Sequence, residues 1–204
     1  MKKTIVLTLT LILALSLLTA CEEGDPLKHC VVSRRVEKST EKNRKEKEKK
    51  AENALPDLHA FTAQTLDGGT LSEKDLAAKD LTVINIWQTT CPPCIEEMPE
   101  LASLAASLPD NVSLITWCLD GLDEKETVGE IMKESGFANP TIISGDGDLT
   151  QLYRALMYTP TTVALDAGGN MVGEPLIGSP EDAEKAYKDY INQALKAIGK
   201  EPVK

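Results

Sequence analysis

One junction constrains the fold more than any other stretch. The apolar run Leu81-Thr-Val-Ile-Asn-Ile-Trp87 leads into Cys91-Pro92-Pro93-Cys94, and the helix-like segment Ile95-Glu-Glu-Met-Pro-Glu-Leu101 follows. A short, β-branched, nearly continuous apolar run is the pattern of a strand buried on both faces. With Cys91 as the N-cap of the next helix, Pro92 falls at N1 and Pro93 at N2. A missing N–H costs nothing there, because those donors have no intrahelical partner. Cys94 is then N3, with its backbone N–H expected to point back at the Cys91 sulfur. The orphan N–H groups and positive dipole end of a helix favour a thiolate over a thiol. Two cysteines at this spacing also close a small disulfide ring, so the junction reads as a redox site. The same pair is half of a zinc site. The other ligand candidates, His29, Cys30, His59 and Cys118, are scattered singly and do not form a second pair at finger-like spacing. No metal is expected.

Downstream segments alternate between strand-like and helix-like patterns. Residues 55–71 contain the turn signal Asp67-Gly68-Gly69-Thr70 and predict a small hairpin. After Cys91, Leu101, Leu104, Ala105 and Leu108 recur at core-facing helical spacing until Pro109-Asp110-Asn111 stops them, and Pro99 is expected to kink that helix near Ile95. Residues 112–119 read as a strand, 124–135 as a helix closed by Gly136, and 141–144 as a short strand ending in a Gly-Asp-rich turn. A helix is expected over 148–156. Strands over 161–166 and 171–177 flank the hairpin signal Ala167-Gly168-Gly169-Asn170. Ser179-Pro180 reads as the cap of a last amphipathic helix reaching about residue 198. This order gives an α/β layer with a mixed sheet.

The N-terminus carries an address. Met1-Lys2-Lys3 is a short basic region, residues 4–17 are apolar and uncharged, and Leu18-Thr19-Ala20-Cys21 closes the segment with small residues before a cysteine. That ending resembles a bacterial lipobox, which implies a lipoprotein signal peptide over 1–20 and lipidation of Cys21; an ordinary signal cleaved after Ala20, or an uncleaved anchor, is the alternative. Either reading places the functional part outside the cytoplasm, where disulfides persist unless something reduces them. Residues 21–54 read as a tether. The stretch 34–53 holds nine Lys/Arg and five Asp/Glu and has no apolar face to bury, so it is expected to be disordered or a solvated helix. From residue 54 on the balance reverses to ten Lys/Arg against 24 Asp/Glu, the wrong sign for a nucleic-acid partner. Residues 55–204 are left as one domain.

Two motifs together, Ile86-Trp87-Gln88-Thr89-Thr90-Cys91-Pro92-Pro93-Cys94 and Tyr158-Thr159-Pro160-Thr161-Thr162, resemble the thioredoxin-fold proteins. The resemblance is closest to the membrane-anchored TlpA/ResA-like thiol–disulfide oxidoreductases and covers about residues 55–198. It implies an α/β thioredoxin fold with a mixed central sheet flanked by helices, an N-terminal hairpin extension and an inserted helix and strand over 124–144. The redox group is then the Cys91–Cys94 disulfide, with no other cofactor. The implied partners are a CcdA/DsbD-like membrane thiol electron donor, exported disulfide-containing proteins as substrates, and the membrane itself through the lipid anchor.

Residue by residue, Cys91 is the nucleophile and Cys94, one helical turn on and less exposed, resolves the mixed disulfide. Glu97 lies three residues after Cys94 on a neighbouring part of the same helical face and matches the acidic residue of the family. A partly buried carboxylate there would hold the Cys94 proton with its pKa raised; a solvated Glu serving the helix dipole is the alternative. Asn85 stands where cytoplasmic thioredoxins carry a buried aspartate, which favours Glu97 as proton handler. Pro160 resembles the family's cis-proline, and Thr159 before it is expected to offer its backbone to an extended substrate segment. Pro92 and Trp87 are expected to complete the substrate-facing wall. Cys118 reads as a buried, inert thiol. A peroxiredoxin would want Thr or Ser where Gln88 stands. Spacing does not fix the direction of electron flow, so reductase, oxidant or isomerase, and non-catalytic binding lipoprotein all remain open at this point.

Overall fold

Every residue of the run Leu81–Trp87 is buried, and the sheet is built around it. The structure, a computed structural model, describes residues 55–204. The signal segment, the lipidation site Cys21, the charged tether, His29 and Cys30 lie outside the described residues. In chain order the strands are β1 (Phe61–Thr65), β2 (Thr70–Ser72), β3 (Leu81–Trp87), β4 (Val112–Cys118), β5 (Thr141–Gly147), β6 (Thr161–Asp166) and β7 (Leu176–Ile177). The helices are α1 (Glu73–Ala77), α2 (Pro92–Ser107), α3 (Lys125–Ser135), α4 (Asp148–Ala155) and α5 (Ala183–Ala197). The sheet order is β2-β1-β5-β4-β3-β6-β7. Strand β3 is parallel to β4, from Leu81 opposite Val112 to Trp87 opposite Cys118, and antiparallel to β6.

The period-2 alternation of β3 feeds two cores, one on each face. Leu81, Val83 and Trp87 join Met98, Leu101, Leu114, Tyr187, Ile191 and Leu195 in a cluster that includes both active-site cysteines. Ile84 and Ile86 join Ile115, Trp117, Leu149, Leu152, Val163 and Leu165 on the other side. Helices α2, α3 and α5 thus contribute to one face and α1 and α4 to the other. The mixed α/β sandwich, the N-terminal hairpin of β1 and β2, and the helix and strand inserted between β4 and α4 agree with the sequence.

Four details differ. Strand β5 runs on through Gly145 and Asp146 to Gly147, because antiparallel pairing with β1 enlists residues whose composition reads as a turn. The run 171–177 is not one strand: Met171 makes an isolated bridge to Leu165 of β6, and only Leu176–Ile177 forms a strand alongside it. The last helix is capped by Asp182, whose carboxylate accepts the Lys185 N–H at 3.1 Å, and not by Ser179. Helix α1 was not expected, although Ser72 and Asp75 form a capping box at its start. Helix α3 ends as anticipated on Gly136 at φ 74°.

Candidate active site

Strand β3 carries the chain to Trp87, and four residues later Cys91 caps α2 in an extended conformation with Pro92 and Pro93 in the first turn. Cys91 and Cys94 are joined by a disulfide with S–S 2.01 Å and Cα–Cα 5.3 Å. Cys91 is 8% exposed and Cys94 0%, so the only sulfur-bearing side chain of the pair that solvent reaches is the first. The Cys94 N–H does not point at the Cys91 sulfur. It donates to the Cys91 carbonyl at 3.1 Å, as does the Ile95 N–H at 3.2 Å, because the closing helix takes that carbonyl as its first acceptor. Pro92 is exposed at the lip of the disulfide. Trp87 corrects an expectation: it is fully buried in the core cluster that holds both cysteines, so it backs the disulfide from inside and offers no surface to a substrate.

The link from β3 to Cys91 is pinned by a residue that the sequence did not single out. Asp120, just past the end of β4, accepts from the Thr89 N–H at 3.0 Å and from the Thr89 hydroxyl at 2.6 Å. The Cys118 thiol donates to the same carboxylate at 3.0 Å. Burial would raise the Asp120 pKa, but these hydrogen bonds outweigh it and hold the carboxyl below its ordinary value. Cys118 is fully buried, and desolvation together with the Asp120 charge pushes its thiol far up, which fits an inert cysteine.

Across the sheet, β6 begins opposite Ile86, which brings the segment before it to the same end as Cys91. The Thr159–Pro160 peptide bond is cis, and Pro160 is buried with its carbonyl accepting the Gly178 N–H at 2.8 Å. Thr159 is half-buried, and neither of its backbone groups has a hydrogen-bond partner among the described residues.

Glu97, on α2, is 3% exposed and enters a polar cluster inside the core. Its Oε1 accepts from Asn85 Nδ2 at 3.0 Å and from the Tyr187 hydroxyl at 2.9 Å. Asn85 Nδ2 also reaches Thr162 Oγ1 and Tyr187 Oη, and the Thr162 hydroxyl donates to Tyr187 Oη at 3.2 Å. Glu97 Oε2 is buried with no hydrogen-bond partner. Desolvation raises the Glu97 pKa; the Ser179 hydroxyl, not aligned for a full hydrogen bond, and the bonds from Tyr187 and Asn85 oppose it without cancelling it. Burial, reinforced by the Glu97 charge, likewise drives the Tyr187 phenol far upward, so it remains a donor. The alternative of a solvated Glu97 is therefore excluded. Tyr187 and Thr162 were not anticipated: Tyr187 lies 90 residues from Glu97 and reads as an ordinary core position on an amphipathic helix. Among the described residues, no three His, Cys, Asp or Glu side chains gather as a metal-ligand set.

Comparison with known proteins places this geometry. Residues 49–191 match the model of the family described as Redoxin. The Sporulation thiol-disulfide oxidoreductase A of Bacillus subtilis is 28% identical over 124 residues, covering 59% of this chain and 73% of the relative. The thiol-disulfide oxidoreductase ResA of Halalkalibacterium halodurans is 24% identical over 132 residues, covering 64% of this chain and 73% of the relative. Among solved structures, StoA from Bacillus subtilis superposes with TM-score 0.51 at 27% identity, over 64% of this chain and 96% of that one. A thioredoxin-family thiol:disulfide interchange protein from Chlorobium tepidum gives TM-score 0.54 at 22% identity, over 72% and 98%, and supports the fold. The architecture is the thioredoxin fold.

Proposed function

The chain belongs to the Redoxin family and is a thiol–disulfide oxidoreductase, and on that premise we propose that it works as a reductase of exported proteins on the outer face of the cell membrane. The observation that carries the reading is the asymmetry of the disulfide at the start of α2, with Cys91 reachable and Cys94 sealed behind it. In the reduced protein the Cys91 thiolate attacks a substrate disulfide, forms a mixed disulfide and releases one substrate thiolate. Cys94 then gives its proton to Glu97 and attacks the Cys91 sulfur. The second substrate thiolate leaves and takes up a proton, and the Cys91–Cys94 disulfide is restored. Two electrons have passed to the substrate, and a membrane thiol carrier of the CcdA/DsbD kind would return the protein to its dithiol form.

Glu97 suits the proton step because a carboxyl raised by burial exchanges protons closer to neutral pH than a solvated one. The free backbone of Thr159 and the exposed Pro92 supply the wall against which an extended substrate segment would pair. In this reading residues 1–20 are a lipoprotein signal, Cys21 carries the lipid, 21–54 is the tether and 55–204 the catalytic domain. Substrates would be apocytochrome c, oxidised surface enzymes or sporulation proteins; the name of the Bacillus subtilis relative favours the last. The direction of flow is tested by the Cys91–Cys94 reduction potential. A value towards that of thioredoxin, about −270 mV, is expected, and one near that of DsbA, about −120 mV, would identify an oxidant. Loss of membrane association in Cys21→Ala tests the anchor.

A further inference from the structure

At the end of the sheet where β3 leads into Cys91 lies a groove of about 560 Å³ whose lining includes Gln88, Leu119, Arg154, Met157, Tyr158 and Thr159, with Tyr153 beside them. We propose that it recognises the sequence around the substrate cysteine: an extended polypeptide segment carrying a bulky apolar side chain and an acidic residue close to that cysteine. The inference deepens the reductase reading and rests on it.

Three observations favour this occupant. Tyr153, Met157 and Tyr158 are 54%, 79% and 64% exposed, and they make up three of the five large hydrophobic side chains exposed among the described residues. Their concentration in the end of α4 and the segment after it is the mark of a binding surface. The groove is also formed by the segments that lead into the site of reaction: Gln88 stands three residues before Cys91 and Thr159 directly precedes Pro160. A segment pairing with the free backbone of Thr159 would lay the side chains next to its cysteine into this groove.

Charge supplies the third. Residues 54–204 carry 24 Asp/Glu against ten Lys/Arg, and Arg154 is the sole arginine among them. It is exposed, makes no ion pair among the described residues, and is the only charged side chain lining the groove. An unpaired guanidinium in a groove that two tyrosines also line is suited to a carboxylate on an apolar peptide.

The test uses pre-reduced protein and short peptides with one cysteine activated as a mixed disulfide with thionitrobenzoate. Attack by Cys91 on the peptide sulfur releases coloured thionitrobenzoate, and Cys94 then frees the peptide as a thiol. The quantity read is the rate ratio of Asp-flanked to Lys-flanked peptide within each protein, at moderate salt, so that loss of folded protein cancels. The wild-type ratio should fall roughly two- to fivefold in Arg154→Ala, as for one exposed ion pair, and further in Arg154→Glu. A Phe-bearing peptide should outpace a Gly-bearing one, and Tyr158→Ser should erase that advantage. An Asp-to-Lys ratio equal in wild type, Arg154→Ala and Arg154→Glu, or a Phe advantage unchanged in Tyr158→Ser, while each protein still reduces 2-hydroxyethyl disulfide, would overturn the groove and leave the reductase standing. Failure of the wild type with every disulfide would remove both. Sedimentation of the wild type as a dimer that Arg154→Glu converts to a monomer would instead assign the groove to a second copy of the chain.

Discussion

Replacing Tyr187 by Phe removes one oxygen from the centre of the buried cluster and leaves the ring in place. That oxygen donates to Glu97 Oε1 at 2.9 Å and accepts from Asn85 and Thr162 at 3.0 and 3.2 Å. With Glu97 protonated, the loss is a neutral hydrogen bond and the acceptor for the Thr162 hydroxyl, which keeps only its bond from Asn85, about 2 kcal/mol in this fully buried setting. With Glu97 ionised, the lost bond is charge-assisted and costs about 1 kcal/mol more. The Tyr187 hydroxyl favours the ionised carboxylate, so its removal drives the already raised Glu97 pKa further up. The penalty of Tyr187→Phe must therefore grow as pH rises through the Glu97 titration. Urea unfolding of oxidised wild type and variant at a series of pH values measures it, and thermal unfolding should show a loss in Tm of roughly 2–4 °C per kcal/mol for a domain of this size. In the reduced protein, the pH profile for resolution of the mixed disulfide by Cys94 should move to higher pH. A penalty that stays constant with pH, with an unmoved profile, would refute Tyr187 as the residue that sets the charge state of Glu97.

Glu97→Gln isolates the same carboxyl. A raised folded-state pKa means the native protein binds more protons than the unfolded chain between the two values, so wild-type stability should decline as pH rises across that window, and this decline should be absent in the variant. Resolution by Cys94 should slow in Glu97→Gln while the first attack by Cys91 persists, as rapid-quench alkylation would show. Asp120→Ala removes the acceptor for both Thr89 donors and should cost about 2 kcal/mol in urea unfolding. Two turn glycines separate conformation from contact. Gly173→Ala, at φ 79° with open space around it, should cost about 1 kcal/mol, whereas Gly169→Ala, at φ 80°, would put its Cβ 2.1 Å from the Leu58 carbonyl oxygen and should cost well above that by thermal unfolding.

The elements legible in the sequence were those whose local signals agree with their tertiary setting. The β-branched run of β3, the paired prolines of α2 and Gly136 after α3 each carry a pattern that packing reinforces. Gly145 and Asp146 show the opposite case, since their place in β5 comes from pairing with a strand some eighty residues earlier. At the candidate site, the cysteine pair, the carboxyl at Glu97 and the cis bond at Pro160 were legible because each sits in a short motif. Tyr187, Thr162 and Asp120 could not, because each is brought in by a different element and its type has an ordinary core or loop reading. Trp87 was legible as a neighbour of the cysteines; its side of the disulfide depends on strand alternation seen in three dimensions. The capping box at Ser72 and the lone Arg154 were visible signals that local patterning did not weigh.

The central claim is that Cys91 attacks and Cys94 resolves. Mass spectrometry of the covalent adducts formed by the Cys94→Ala and Cys91→Ala variants with a disulfide-containing protein substrate tests it directly. The account predicts that a stable mixed disulfide accumulates on Cys91 in Cys94→Ala, and that in native Cys91→Ala none forms on Cys94, which is sealed in the core. Equal accumulation on Cys94 in Cys91→Ala, or none in either variant, would contradict it.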